Sequence, residues 1–368
     1  FFKLINDSKY ATYYKTAPQK HLGDRQNIIP QGNVLGGGTS ISAQVYMRGR
    51  AEDYNEWQEI LRGNNDSVGW SWNDVLPYFR KMENNSRLDN KYHGKKGPLK
   101  ISDSPYNNEL TIDFIQTVNE LGVPLTDDFN GAAQTGVGFY QFMNCKGKRS
   151  SAAYAFIEPE KDNPKLKLHL NAQIEKIIIE NNKAIGVEYK NNHGEFNKYF
   201  ANKEVILAAG SFITPKILML SGIGNADELN LHNIQCIANL PGVGENLIDH
   251  PECPLIAKAN GKYGYFKQGK GWRMIKNGLE FLLFGTGPVN STGVEAGAFI
   301  NPIDPDDLPY IQAFFLPSIY MNSDTIGVID DDYGMSITTV MTKPRSRGSV
   351  KIKSKNPDSN FFSSIFSL

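Results

Sequence analysis

Gly32-Asn33-Val34-Leu35-Gly36-Gly37-Gly38-Thr39-Ser40-Ile41 follows a mixed stretch containing Pro30 and opens onto the small, apolar residues 41–46. Three adjacent glycines carry no side chain to hold a planar or anionic ligand away, so the backbone can approach a cofactor to contact distance. The pattern predicts a tight turn entering a buried segment. In a chain with 34 glycines the triplet alone is a weak signal, and its meaning depends on its neighbours.

Working outward, Ser71 or Asn73 can cap a short helix whose Val75, Leu76 and Phe79 share one face, with Pro77 in the first turn. Strands are predicted at 166–170, 174–179 and 184–189, with turns at Asn181-Asn182 and at 191–194. Glu204-Val205-Ile206-Leu207-Ala208-Ala209-Gly210 reads as a buried strand of a parallel sheet. A helix over 211–220 follows, with Thr214 near its start and Pro215 in its first turn, and Ser221-Gly222-Ile223-Gly224 stops it. Strand, glycine and helix start in that order can place backbone N–H groups around a phosphate, although an ordinary strand–helix turn accounts for the pattern equally well. Further strands are expected at 310–316 and 336–341, and no internal repeat or low-complexity tract occurs.

Composition narrows the ligand. With 39 basic and 39 acidic residues the formal net charge is zero, so no global field draws in nucleic acid or an anionic surface. No apolar run approaches the roughly 18 residues needed to span a bilayer, so no transmembrane segment is expected. The chain is long enough for about two domains of roughly 150 residues. Cys145, Cys236 and Cys253 lack the number and spacing of a disulfide framework or zinc site and read as buried small apolar residues. The opening Phe1-Phe2-Lys3-Leu4-Ile5 is too short for a signal peptide, and the start reads as cut. Sequons at Asn6, Asn65, Asn84 and Asn290 would suit a secreted protein but arise readily by chance in an Asn-rich chain.

The glycine segment, continuing through Tyr46-Met47-Arg48-Gly49 to Asp53-Tyr54-Asn55-Glu56-Trp57, resembles the first signature of the glucose-methanol-choline (GMC) oxidoreductases. Gly210-Ser211-Phe212-Ile213-Thr214-Pro215 through Gly224 resembles the second. Similar stretches are Gly69-Trp70-Ser71-Trp72, Gly147-Lys148-Arg149-Ser150-Ser151, Pro241-Gly242-Val243-Gly244-Glu245-Asn246 running to His250, and Pro344-Arg345-Ser346-Arg347-Gly348. The likeness is nearest to the insect glucose dehydrogenase-like branch.

The resemblance implies an α/β (α+β) fold. A doubly wound FAD-binding domain, incomplete here, would take residues 1–75 and 155–255, and a β-sheet-based substrate domain, discontinuous in sequence, would take 76–154 and 256–368. It implies oxidation of a CH–OH group in a small alcohol or sugar, with hydride passing to flavin N5 and a histidine taking the hydroxyl proton. Val34, Gly36, Gly37, Gly38 and Thr39 match positions around the flavin, and Ser42, Ala43, Gln44 and Val45 match the stretch under its ring system. Ile174 matches the apolar position at the adenosine end, where a plain core isoleucine is an equal reading, and Gly210 matches the glycine near the phosphates. Ser42 stands where the family has Asn or His, a hydroxyl in place of an amide. Ile41 stands where some members carry a flavin-linked histidine, so the FAD is expected to be non-covalent.

Two family features are not found in the sequence: a G-x-G-x-x-G turn before Gly32, and the C-terminal segment carrying the catalytic histidine. The expectation is therefore a fragment without its catalytic base, which alone neither holds flavin tightly nor turns over. Gly242-Val243-Gly244 reads as a loop. Of the six histidines, His21, His93, His169, His193 and His232 read as solvated or capping, and His250 as a structural hydrogen-bonding group. Competing readings are a lyase that keeps flavin only structurally and an inactive truncated product.

Overall fold

The computed structural model describes residues 7–63, 69–320 and 332–359, and the backbone of the strand Phe361–Ser367. These form two compact units of mixed α/β structure. The first gathers the described residues of Phe1–Thr12, Pro30–Asn163 and His250–Lys343; the second gathers those of Tyr13–Ile29, Pro164–Asp249 and Pro344–Leu368.

The first unit is built on a five-stranded antiparallel sheet in the order Glu252–Lys258, Gly334–Met341, Ile311–Leu316, Ala296–Ile300, Gly136–Phe139. Side chains alternate across a strand, so this sheet makes two cores. On one face Val137, Ala296, Ala298, Ala313 and Phe315 pack with Phe114 and Ile115 of the helix Glu109–Glu120, and the Phe114 and Phe315 rings stack 4.6 Å apart. Each fully buried Phe contributes about 1.5–3 kcal/mol. On the other face Phe299 and Leu316 join Phe129, Tyr140, Phe142 and Val294, and onto this cluster fold Ala43, Val45 and Met47. Gly297 must lack a side chain there, because a Cβ would overlap the Tyr140 hydroxyl. The carboxylate of Glu295, wholly buried, accepts from Asn108 N (2.8 Å), Thr111 Oγ1 (2.7 Å) and Ser291 Oγ (2.6 Å), and from the Tyr265 hydroxyl. It thereby closes the N-terminus of the helix Glu109–Glu120, where a negative charge is favoured.

The helix Trp72–Met82 forms as expected, with Ser71 as N-cap, its amide donating to Asp74 Oδ2 (3.1 Å), and with Val75, Leu76 and Phe79 as its half-buried face. Pro77, however, is the sixth helical residue and not in the first turn. Preceding it, the helix Ala51–Arg62 starts with Arg50 N donating to Asp53 Oδ2 (2.9 Å), so Asp53 of the first signature is a capping residue.

The second unit carries a three-stranded antiparallel sheet, Gln173–Glu180, Lys183–Lys190 and Phe196–Phe200. The predicted turns join them: Asn181 and Asn182 take φ of 50° and 61°, the left-handed pair that a tight hairpin demands. The helix Gly210–Leu220 buries Phe212 against Val350, and Met219 against Leu229 and Ile352. Its end is tied to the sheet by Ser221 Oγ, which accepts from Ile177 N (2.8 Å) and donates to Ile217 O (2.6 Å). Pro215 is again the sixth helical residue, a correction to its expected place in the first turn.

Other expectations fail here. Residues 204–209 form no strand and are not buried; Ile206 is 81% exposed. An extended segment becomes a strand only by sharing hydrogen bonds with a neighbour, and among the described residues none pairs with it. Residues 166–170 likewise form no strand, and 167–170 are exposed. The cysteines are not buried: Cys145 and Cys236 are intermediate, and Cys253 is exposed on the edge strand Glu252–Lys258. The sequons at Asn6 and Asn65 lie outside the described residues, and Asn290 is buried with its amide donating to Gly285 O (2.7 Å). No described helix is long and apolar enough to cross a membrane.

Candidate functional site

The strand Ile28–Gly32 delivers the chain into the glycine segment, and Gly37 N donates to Val34 O (2.8 Å) to close a tight turn. Gly36 and Gly37 both take positive φ, 89° and 56°, which favours glycine at each. Gly38 then opens a one-turn helix, Gly38–Ile41, whose Ile41 is buried.

The two ends of the triplet face different surroundings. A Cβ on Gly36 would lie 2.5 Å from Ser40 Oγ and 3.0 Å from Ala153 N, so this glycine is required by the protein itself. A Cβ on Gly37 or Gly38 meets no heavy atom within 4 Å. The backbone of these two residues therefore borders open space.

The polar side chains beside that space are turned back into the protein. Thr39 Oγ1 donates to Gly36 O (2.5 Å) and accepts from Ala152 N (2.9 Å), while Ser40 Oγ donates to Leu35 O (2.8 Å). Arg149 Nη1 donates to Thr39 O (3.1 Å) and Ser42 O (2.7 Å). Burial lowers the pKa of this arginine from its ordinary value, and it spends its charge on loop carbonyls. Ser42 Oγ accepts from Gln44 N (3.3 Å), so its hydroxyl serves the loop. Gln44 sits at φ 67°, its carbonyl accepting from Met143 N (2.8 Å), and Ala43 and Val45 rest half-buried on the Phe129–Tyr140–Phe142 cluster.

Val34, Gly36–Thr39 and Ser42–Val45 all belong to the first unit. Ile174 and Gly210 belong to the second. Ile174 is a half-buried strand residue opposite Tyr189; Gly210, with φ 84°, starts its helix, and a Cβ there would also meet no atom within 4 Å.

Arg149 is the residue whose role the sequence concealed, since Gly147-Lys148-Arg149-Ser150-Ser151 carries no signal of a tether to a loop 107 residues away. His93 is a correction: expected in a solvated or capping place, it is wholly buried between Glu83 and Asp128, because the strand Glu83–Asn85 and the loop at 128 close over it.

The profile of the family described as GMC oxidoreductase matches residues 11–252, and the chain belongs to that family. An alcohol dehydrogenase [acceptor] of Pseudomonas putida is 37% identical over 361 residues, covering 96% of this chain and 63% of that protein. The mitochondrial choline dehydrogenase of Mus musculus is 36% identical over 95% of this chain and 58% of its own length. The chain thus spans about three fifths of these relatives. Pyridoxine 4-oxidase from Mesorbium loti superposes with a TM-score of 0.83 at 24% identity, over 98% of this chain and 66% of that one. A variant of Aspergillus oryzae formate oxidase gives 0.84, also at 24% identity, over 98% and 68%. FAD is the cofactor of this family. The open backbone at Gly37 and Gly38 fits such a planar, phosphate-bearing group, because nothing of the protein fills the space a Cβ would occupy.

Proposed function

We propose that the protein is an FAD-dependent oxidoreductase that oxidises a CH–OH group of a small alcohol or sugar, with hydride passing from the substrate carbon to flavin N5. The observation that supports this best is the open glycine face, bordered by side chains all tied away from it. FAD, when bound, supplies the hydride-accepting ring.

Val34, Gly36, Gly37, Gly38 and Thr39 would hold the flavin, with Ser42, Ala43, Gln44 and Val45 beneath its ring. Arg149 fixes the carbonyls of Thr39 and Ser42 and so preserves the loop's shape. Ile174 and Gly210 would meet the adenosine end and the phosphates. Ile41, buried and without a nucleophile, supports non-covalent attachment.

On this reading residues 1–75 and 155–255 serve FAD, and 76–154 and 256–368 serve the substrate. That functional division cuts across the compact one at residues 30–75, of which Ala43, Val45 and Met47 pack on the core of the first unit, and again at 344–368. Similarity to enzymes named for choline and other alcohols supports a small alcohol, and the motifs support the insect glucose dehydrogenase-like branch. Specificity would depend first on the strand Ile311–Leu316.

The test is to strip the natural-length protein of cofactor and titrate it with FAD, then add alcohols anaerobically. Uptake of one FAD per chain, followed by bleaching of the flavin absorbance, is expected. A protein that takes up no FAD, or whose bound flavin no alcohol or sugar reduces, contradicts the reading.

A further inference from the structure

His93 lies at the centre of a buried chain of charges. Its Nδ1 is 2.8 Å from Glu83 Oε1 and its Nε2 is 3.0 Å from Asp128 Oδ2. On the far side, Glu83 Oε2 accepts from Arg48 Nη2 at 2.6 Å. The side chains of Arg48, Glu83 and His93 are at most 2% exposed and that of Asp128 is 17% exposed.

An ionised carboxylate only accepts hydrogen bonds. With a carboxylate at each ring nitrogen, both nitrogens must donate, and the ring is an imidazolium. Arg48 and His93 then balance Glu83 and Asp128, and the buried group is neutral as a whole, which is the condition for burying charge without large cost.

Each partner of His93 leads to the segment directly after the glycine loop. Asp128 Oδ1 accepts from Asn130 N (3.0 Å), and the Asn130 side chain both accepts from Arg48 N (2.7 Å) and donates to Tyr46 O (3.0 Å). Glu83 Oε1 accepts from Asn85 Nδ2 (2.8 Å), which also donates to Gln141 Oε1 (2.7 Å). The Gln141 carbonyl in turn accepts from Tyr46 N (2.8 Å), and two residues further Met143 N donates to Gln44 O (2.8 Å). Through each of its two carboxylate partners the imidazole is therefore connected to residues 44–48.

We propose that His93, held as an imidazolium between Glu83 and Asp128, is the positioning residue that fixes residues 44–48 and thereby the floor of the FAD site. The inference rests on the FAD reading above. The other charged or titratable groups facing this cluster include Tyr46, whose hydroxyl accepts from Arg48 Nη2 (3.1 Å), Tyr54, which lies within electrostatic reach of Arg48, and Arg80, whose Nε donates to His93 O (3.4 Å). Asp103 joins through Gln141 Nε2 (2.7 Å). Burial opposes the charge on His93, but hydrogen bonds to Asp128 and Glu83 outweigh it and raise its pKa to about 9.

The experiment measures FAD affinity of the natural-length protein from pH 7 to 10, in wild type, in His93→Gln and in Asp128→Asn. In wild type the affinity should hold to about pH 8 and weaken about tenfold as the ring deprotonates near pH 9. His93→Gln should bind about tenfold more weakly at pH 7 and show no further step. Should His93→Gln not fold, Asp128→Asn, which removes one of the two negative charges beside the ring, must move the alkaline step to lower pH. Binding by His93→Gln at wild-type strength with the wild-type pH profile overturns the proposal, as does an unmoved step in Asp128→Asn. Failure of the FAD reading looks different: wild type then binds no FAD at any pH. In that event nitrogen NMR of the 15N-histidine-labelled protein decides the charge state. Both ring nitrogens protonated at pH 7 uphold the clamp, and a neutral ring overturns it.

Discussion

Gly36 and Gly38 stand two positions apart and are glycine for opposite reasons, one because the protein crowds it and the other because nothing does. The triplet was legible in the sequence, since missing side chains are visible there. The arrangement that holds it was not, because Arg149 comes from a distant hairpin and its guanidinium meets backbone carbonyls that carry no sequence signature. A charged donor serving two carbonyls is worth about 1.5–3 kcal/mol. Arg149→Ala should therefore lower unfolding stability by about 2 kcal/mol in urea denaturation and weaken FAD binding with it. Arg149→Lys should recover only part of the loss, because the lysine side chain ends one atom short of the Nη1 that serves both carbonyls. Full recovery by lysine would mean that charge alone is needed.

Among the elements, hairpins and helices followed their local rules and the isolated strand did not. Asn181-Asn182 makes its turn wherever it is placed, and Ser71 caps its helix through the adjacent Asp74. Residues 204–209 have equally strand-like side chains, yet a strand is a relation between two segments and the sequence shows only one. The prolines were misplaced for a related reason. Pro77 and Pro215 sit six residues into their helices, each removing an N–H that would have reached the carbonyl four residues back, at Asn73 and Ser211. In Trp72–Met82 the proline is exposed, so nothing else depends on it. Pro77→Ala should stabilise the protein by about 1 kcal/mol, the helical gain being partly offset by a freer unfolded chain. The thermal midpoint reads this, and a fall in the midpoint would mean that the ring itself packs usefully.

At the scale of the molecule the net charge is zero, so pH acts through individual buried groups and not through overall repulsion. Burial opposes the charges on Glu83 and Asp128, but the His93 hydrogen bonds and neighbouring cations hold both below their ordinary values. Their contribution is present above the unfolded carboxylate range and is lost as pH falls through the depressed values. His93 has the opposite sign. Its folded value of about 9 lies above the ordinary 6.5, so its contribution is complete below pH 6.5 and is lost as pH rises through 9. Stability should thus be greatest near pH 5–6.5 and decline by up to about 3 kcal/mol by pH 9.5. Urea denaturation of wild type and His93→Gln at pH 6 and pH 9.5 checks this; an equal decline in both would place the alkaline loss elsewhere. None of this was visible beforehand, because a histidine in a polar turn looks solvated until residues 83, 85 and 128 are seen to enclose it. Family membership, by contrast, was readable from the two signatures, which depend on contiguous residues.

The central claim is that the open face of the glycine loop is the flavin site, and Gly38→Val tests it most directly. The substitution starts a side chain where, apart from its chain neighbours and its own helix backbone, no heavy atom lies within 4 Å of the Cβ, and φ at Gly38 is not positive, so the fold has little reason to object. In the natural-length protein the stability of the cofactor-free form should change by less than about 1 kcal/mol, while FAD affinity falls at least about a hundredfold because the side chain stands where the cofactor must approach. Wild-type FAD affinity in a normally folded Gly38→Val protein would contradict the account.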